Sequence, residues 1–247
     1  MLERTFAALL ALTLAAWTPL AASAEEKLPV QEIERIVREY LLREPEVIYQ
    51  AIQELQQRQR AEEAKRQQAV IASSGEAIFR HAADPAAGER DAGVTLVEFF
   101  DYRCGYCRSM AGGLRQLMDR DRDLRFVFKE LPVLGPDSVV AAKAALAANR
   151  LDPRRYRDFH FALMQSKDLS REAVLALAAQ QGYDPGVLGR EMDAGWVTAH
   201  IDETRALADK LGISGTPSFV VGDTLIPGAV EVSELANRIT QQRQKTE

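Results

Sequence analysis

Helix and strand signals alternate along most of this chain. Two near-continuous apolar runs, Val94–Phe100 and Leu124–Lys129, predict strands that are buried on both faces of a sheet. Apolar residues at helical spacing predict helices around these strands, most densely over residues 136–211. The last stretches of this block are predicted at Glu172–Gln180, with Ser170 as its candidate N-cap, and from about Val187 to Leu211. A hairpin over Ser218–Ile226 and a terminal helix from about Val232 complete the pattern. The chain is therefore predicted to be an α/β protein whose strands are interrupted by a helical block.

The segment before the first strand has a different pattern. An apolar stripe at helical spacing, interrupted by Pro45, predicts two helices, and the polar stretch from Gln56 to Gln68 predicts a solvent-exposed helical stalk. A lone pair of helices cannot bury such a stripe, so we expect it to pack against other copies of the chain or against its own domain. The stripe comprises Ile33, Ile36, Val37, Tyr40, Leu41, Ile48, Ile52 and Leu55.

The first 24 residues have the pattern of a secretory signal peptide. The apolar stretch from Phe6 to Trp17 is too short to span a bilayer, and residues 22–24 form a small-residue triplet typical of a cleavage site. Glu3 offsets Arg4, so an uncleaved anchor is the alternative. We therefore predict a signal peptide over 1–24, a helical oligomerisation segment and stalk over 25–75, and a folded domain over 76–247.

The charge of the chain gives no support to nucleic-acid binding. There are 31 Lys and Arg residues against 36 Asp and Glu residues, a formal net charge of −5. Proteins that bind nucleic acid usually present a basic face, so we expect no nucleic-acid partner.

The chain has only two cysteines, Cys104 and Cys107, and they directly follow the first predicted strand. A zinc site needs four ligands, and the histidines at 81, 160 and 200 provide no second paired spacing. A purely structural disulfide here would close a very short loop, which constrains the unfolded chain little. Both alternatives are weaker than a third, a redox-active dithiol in a compartment that permits disulfides.

A redox role fits the position of the pair at the start of a helix predicted over 104–119. Unpaired N–H groups and the helix dipole at that end favour a thiolate, so we expect Cys104 to be the exposed nucleophile. Cys107 lies one turn deeper on the same face, where it is expected to resolve a mixed disulfide formed at Cys104.

These motifs together resemble the DsbA-like branch of the thioredoxin superfamily. The resemblance rests on EFFDY, Cys-Gly-Tyr-Cys and the later Gly-Thr-Pro-Ser-Phe over 215–219, and it covers roughly residues 76–247. It implies a thioredoxin-like fold with a helical insertion at about 136–211, preceded here by an N-terminal helical extension. The layout is similar to that of suppressor-of-copper-sensitivity C (ScsC) proteins, which implies a periplasmic location.

The resemblance also implies roles for individual residues. Pro217 matches the cis-proline of the family, and Thr216 before it would pair its backbone with an extended substrate. Glu98 matches a buried acid that relays protons to the resolving thiol; the alternative is an exposed carboxylate at a sheet edge. Gly105 and Tyr106, between the cysteines, are expected to contact substrate, although Tyr106 and Tyr102 could instead cover the core.

Three functions remain open at this stage. The Gly-Tyr dipeptide and Thr216 resemble the isomerase versions of these motifs, which favours an oligomeric disulfide isomerase or reductase. The alternatives are a monomeric dithiol oxidase and a copper-binding or copper-tolerance protein in which two thiolates chelate Cu(I). The partners implied are unfolded or misdisulfided exported proteins, a membrane redox partner that is a DsbD-like reductant or a DsbB-like oxidant, and further copies of the chain. We expect no cofactor and no resident metal.

Overall fold

The computed structural model describes residues 29–246, so the predicted signal peptide at 1–24 lies outside the described residues. Within the described chain, two compact units are separated after Gln57. The first contains helix α1 (Val30–Arg43) and the beginning of helix α2 (Glu46–Ser73). Every large apolar residue of the predicted stripe except Leu41 is exposed there. No helix between residues 29 and 246 is both long and apolar enough to cross a membrane.

The second unit, Arg58–Glu247, contains a mixed sheet. Its strand order is β1-β3-β2-β4-β5; β2 and β3 run parallel, and the other neighbouring pairs are antiparallel. The strands are β1 (Ala86–Ala87), β2 (Val94–Phe100), β3 (Leu124–Glu130), β4 (Ser218–Val221) and β5 (Thr224–Pro227). The described helices are α1 (Val30–Arg43), α2 (Glu46–Ser73), α3 (Gly105–Arg120), α4 (Pro136–Leu151), α5 (Pro153–Gln165), α6 (Arg171–Gln180), α7 (Pro185–Met192), α8 (Gly195–Leu211) and α9 (Val232–Thr246).

The sheet carries apolar residues on both faces, as the continuous apolar runs predict. One face packs against α3, the insertion helices α4 to α7 and α9. The other face packs against the end of α2, a π-helical turn at Glu76–Arg80 and the end of α8. Successive residues of a strand point to opposite faces, so Glu98 and Phe128 lie on the first face, whereas Val127 and Lys129 lie on the second.

The structure confirms the α/β fold with a helical insertion and differs from the sequence analysis in two details. The stretch from about Val187 to Leu211 is two helices, because the chain turns at Asp193 and Ala194 and restarts at Gly195. The two-residue strand β1 has too little pattern to be recognised from the sequence. The β4–β5 turn contains Gly222 at φ +57°, a conformation that a residue with a Cβ atom rarely adopts.

Candidate active site

The two cysteines lie at the N-terminal end of α3, where β2 delivers the chain. Cys104 is the N-cap, and its Sγ accepts a hydrogen bond from the backbone N–H of Cys107 at 3.5 Å. Cys107 is one turn further along the helix and has no exposed surface. Both are free thiols in the structure. This arrangement places one sulfur at the surface end of the helix and the other directly beneath it.

Cys104 is less exposed than the sequence analysis expected. Its exposed fraction is 6%, so the expectation that Cys104 is exposed is wrong, although it remains the more accessible cysteine of the pair. The cause is the loop before β4, because the Cys104 thiol donates a hydrogen bond to the backbone oxygen of Thr216 at 3.2 Å. A substrate disulfide must therefore reach Cys104 beside this loop.

The loop contains the expected proline. The Thr216–Pro217 peptide bond is cis, as the resemblance implies for this position. Pro217 is buried and Thr216 is half-buried. Gly105 and Tyr106 are exposed, and Tyr106 has 69% of its surface accessible, whereas Tyr102 is buried in the core. Tyr106 therefore has the exposure that substrate contact requires, whereas Tyr102 covers the core.

Glu98 lies on the sheet face that carries α3 and is buried, with an exposed fraction of 1%. It lines a small enclosed space together with Cys107, Phe128 and His160. Burial raises the pKa of Glu98 to about 8, and the nearby Cys104 adds to the shift. Burial, followed by the charge of Glu98, raises the pKa of the Cys107 thiol well above its usual range. Glu98 is therefore a buried acid next to the inner thiol, not an exposed carboxylate at a sheet edge.

A second buried acid, Glu130, was missed by the sequence analysis. Its Oε1 accepts hydrogen bonds from the hydroxyl groups of Tyr102 at 3.1 Å and Tyr156 at 3.5 Å. Burial raises the pKa of Glu130 well above its usual range. His160 packs among aromatic rings, and its Nδ1 lies 3.0 Å from the Tyr102 hydroxyl. Its pKa is lowered to about 3 by burial, so the imidazole is neutral at physiological pH.

Asp101 holds the loop that precedes the cysteines. Its Oδ1 accepts hydrogen bonds from the N–H of Arg103 and the hydroxyl of Ser138, both at 2.7 Å. Its Oδ2 accepts from the N–H groups of Val133 at 2.8 Å and Leu134 at 2.9 Å. One buried carboxylate therefore ties the active-site loop to the segment after β3 and to the start of α4. The letter Asp in EFFDY gave no signal of this role.

Asp101→Asn is expected to lower the free energy of unfolding by about 2–4 kcal/mol, because the amide group that replaces one oxygen leaves buried N–H donors without an acceptor. Urea unfolding at constant m-value measures the change. Asp91→Asn is the matched control, since Asp91 is exposed. A loss below about 1 kcal/mol for the Asp101 variant would show that these hydrogen bonds do not hold the loop.

The fold and the pair define a class of protein. A dithiol at the start of the helix that connects parallel strands β2 and β3, facing a loop with a cis-proline, is the arrangement of a thioredoxin-fold redox protein. A DSBA-like thioredoxin domain matches residues 95–240, and a Copper resistance protein ScsC N-terminal domain matches residues 30–62. The chain belongs to the DsbA-like family of thiol-disulfide oxidoreductases and carries an ScsC-type N-terminal domain.

Solved structures and a sequence relative agree with this assignment. A thioredoxin-like oxidoreductase from Silicibacter pomeroyi DSS-3 is 44% identical over 68% of this chain and 97% of that one, with a TM-score of 0.65. A linker-deletion variant of Proteus mirabilis ScsC is 28% identical over 91% of this chain and 100% of that one, with a TM-score of 0.68. Disulfide bond formation protein D of Bacillus subtilis is 27% identical over 64% of this chain and 76% of its own length.

Part of a larger protein also matches. The Na⁺/H⁺ antiporter NhaA of Herminiimonas arsenicoxydans is 30% identical over 165 residues, but the chain spans only 26% of its length. This match concerns one region of the antiporter.

Proposed function

We propose that this protein is a periplasmic thiol-disulfide oxidoreductase that acts on protein disulfides as an oligomeric isomerase or reductase. The observation that carries the proposal is that three side chains lie one behind the other from the surface end of α3 inward: Cys104, Cys107 and Glu98. Each has the position that its proposed step requires: an outer sulfur for attack, an inner sulfur for resolution, and a buried acid for proton transfer.

Catalysis begins with attack by Cys104. Its thiolate attacks one sulfur of a substrate disulfide, a bond forms between the two sulfurs, and the other substrate sulfur leaves as a thiolate. A different thiolate of the substrate then attacks the substrate sulfur of the mixed disulfide, and Cys104 leaves as a thiolate. The substrate now has a rearranged disulfide and the pair is unchanged in oxidation state, so the net reaction is isomerisation.

Reduction of the substrate uses Cys107 in place of a substrate thiol. Cys107 must lose its proton before it attacks the sulfur of Cys104, and its raised pKa makes this costly without a base. The Glu98 carboxylate accepts this proton, and returns it when the disulfide is reduced. A pKa of about 8 suits this exchange, because an acid-base group acts best when its pKa lies near the working pH.

Three exposed apolar side chains adjoin the active-site segment. Tyr106 lies in the first turn of α3, and Val133 and Leu134 lie in the segment after β3 whose N–H groups donate to Asp101. Exposed apolar groups of this kind fit unfolded chains, whose own apolar residues are accessible. We therefore propose exported proteins with missing or wrong disulfides as substrates, with Gly105, Tyr106 and the Thr216 backbone as contacts.

Assembly is proposed from the N-terminal unit. Ile33, Ile36, Val37 and Tyr40 on α1 each have more than two fifths of their surface exposed. Such a stripe on a helix with no buried residue is unfavourable in water unless another surface covers it. Further copies of this chain are the proposed partner, and the match to an ScsC N-terminal domain over the same residues supports an arrangement similar to ScsC.

The alternatives differ in redox direction and in assembly. A monomeric oxidase would be kept oxidised by a DsbB-like membrane partner, whereas an isomerase would be kept reduced by a DsbD-like one. Alkylation of Cys104 and Cys107 in cells distinguishes them, because a mostly oxidised pair would support the oxidase. If the cysteine pair is mostly reduced and also binds Cu(I) saturably, this would instead support copper handling.

Glu98→Gln is expected to slow the Cys107-dependent step about 10- to 100-fold, since the amide cannot exchange a proton. This step is measured as the rate at which a mixed disulfide at Cys104 is released, which stopped-flow spectroscopy records over a range of pH. The wild-type rate is expected to rise with an apparent pKa near 8 as the carboxylate forms, and the variant is expected to lose this pH dependence. A variant with an unchanged pH profile would contradict the proton-transfer role.

Stability gives a second readout for Glu98. From its ordinary pKa of 4.5 up to about 8, the folded chain keeps a proton that the unfolded chain releases. The free energy of unfolding therefore falls as pH rises through this range, by at most about 1.4 kcal/mol per pH unit for this group. Glu98→Gln removes that contribution and is expected to be more stable than the wild type at neutral pH. Glu130→Gln is the matched buried control, because it is expected to change stability without slowing the Cys107 step.

A further inference from the structure

A second cluster of ionisable side chains lies on the sheet face away from the dithiol. It contains His81, which follows the π-helical turn, Asp84 in the loop before β1, and His200 and Glu203 on α8. His200 and Asp84 are 116 positions apart in the chain. Spacing along the sequence therefore gave no sign that these residues meet, and the histidines were not expected to form a site.

The buried part of the cluster fixes one imidazole ring. Nε2 of His200 lies 2.9 Å from Oδ1 of Asp84, and both residues are buried. Oδ2 of Asp84 forms an ion pair with Lys129, which also donates to the backbone oxygen of Ala77. Because Lys129 balances its charge, Asp84 is an acceptor for the N–H of His200. In the tautomer whose proton is on Nε2, Nδ1 of His200 carries a lone pair.

The free nitrogen points to a further carboxylate. Nδ1 of His200 has no hydrogen-bond partner within the part of the chain that the structure describes, and Oε2 of Glu203 lies 3.6 Å from it. A lone pair and a carboxylate oxygen repel each other at this distance unless a proton or a metal cation lies between them. The same Glu203 oxygen is 3.5 Å from Nε2 of His81, whose ring stacks on that of His200 with centroids 4.6 Å apart.

The separations between the Glu203 oxygen and the two ring nitrogens are close to those of metal ligands. Ligand atoms around a tetrahedral zinc ion, each about 2.0–2.1 Å from the metal, are roughly 3.3 Å from one another. We propose that Nε2 of His81, Nδ1 of His200 and Oε2 of Glu203 bind a divalent cation of borderline softness such as Zn²⁺. Asp84 is then the outer carboxylate that orients His200, an arrangement common at metal-bound histidines.

The position of the site sets its accessibility and strength. His81 is half-buried and Glu203 is exposed, so a cation reaches the site from solvent and a water molecule completes its coordination. Two features oppose binding. The N–H of Ala83 lies 3.3 Å from Nδ1 of His81, a contact that is lost when Nδ1 takes the ring proton, and Arg80, Arg90 and Arg125 line the adjoining cleft. We therefore expect micromolar affinity.

Zinc titration of the full chain tests the proposal. The chain is used without a polyhistidine tag and with Cys104 and Cys107 oxidised, so that no thiolate competes, and binding of ZnCl₂ is followed by calorimetry. We expect one equivalent per chain, a rise in Tm on zinc addition, and no binding of MgCl₂, because Mg²⁺ prefers oxygen ligands. Absence of zinc binding would overturn the proposed site.

Substitutions locate the bound ion. His81→Gln and Glu203→Gln are each expected to weaken zinc binding at least tenfold, and both positions are accessible enough for the fold to tolerate the change. Asp202→Asn is the matched control, because Asp202 is exposed on the same helix and is expected to leave the affinity unchanged. Equal zinc affinity in the wild type and in His81→Gln would overturn the proposed ligand set.

Discussion

Cys107→Ser is expected to accumulate mixed disulfides between Cys104 and exported proteins, visible as high-molecular-weight bands on non-reducing gels. The outer thiol can still attack a substrate disulfide, but the inner thiol that would release it is missing. Cys107 has no exposed surface, so a protein substrate reaches Cys104 first. The bands are expected to disappear on reduction, and mass spectrometry of the released chains identifies the substrates.

Cys104→Ser is the matched control and is expected to abolish thiol-disulfide exchange. Its remaining thiol lies beneath the helix end, where burial keeps it protonated and inaccessible. If the Cys104 variant captures substrates as efficiently as the Cys107 variant, the division into attacking and resolving thiols is wrong.

Removing the N-terminal unit is expected to separate simple exchange from isomerisation. A chain that begins at Arg58 should be monomeric and should still reduce small disulfides, because Cys104, Cys107 and Glu98 all lie in the second unit. It is expected to lose on the order of tenfold or more in refolding scrambled ribonuclease, since neighbouring sites on one assembly raise the effective concentration for repeated capture. Light scattering and the two activity assays measure these outcomes.

The truncation point follows from the core. Ile71, near the end of α2, is buried with Ile78 and Val97, so a deletion up to residue 75 would remove a core side chain as well as the stripe. Ile36→Asp in the full chain tests assembly without truncation, and Gln31→Asp on the same helix is its control with equal charge change. A full-length monomer, or a monomeric variant that isomerises like the parent, would favour the oxidase alternative.

The fold could be predicted largely because its strands are buried on both faces. Val94–Phe100 and Leu124–Lys129 have apolar runs too long for loops and too short for typical helices, and the structure places strands at these residues. Helix caps were also informative, since Ser170 caps α6 as its position predicted. The division between α7 and α8 was not predicted, although Asp193 and Gly195, both poor helix formers, lie at the break.

The site was only partly predictable, for a physical reason. Cys104 and Cys107 are close in sequence, and their spacing alone places them on one helical face. Glu130 and Asp101, in contrast, have roles that depend on which distant groups surround them, and a single Asp or Glu letter carries no such information. The accessibility of Cys104 was overestimated because the covering loop is 112 positions away.

The hydrogen bonds of Asp101 also join the active-site loop to the helical insertion. This carboxylate joins the residue directly before Cys104 in the loop, Arg103, to Ser138 in the first turn of the insertion. The active-site loop and the first turn of α4 therefore share one buried acceptor, and a displacement of either strains a hydrogen bond of the other. A polypeptide that binds against α4 is thus expected to change the amide exchange rate of Arg103 as well as that of α4 itself.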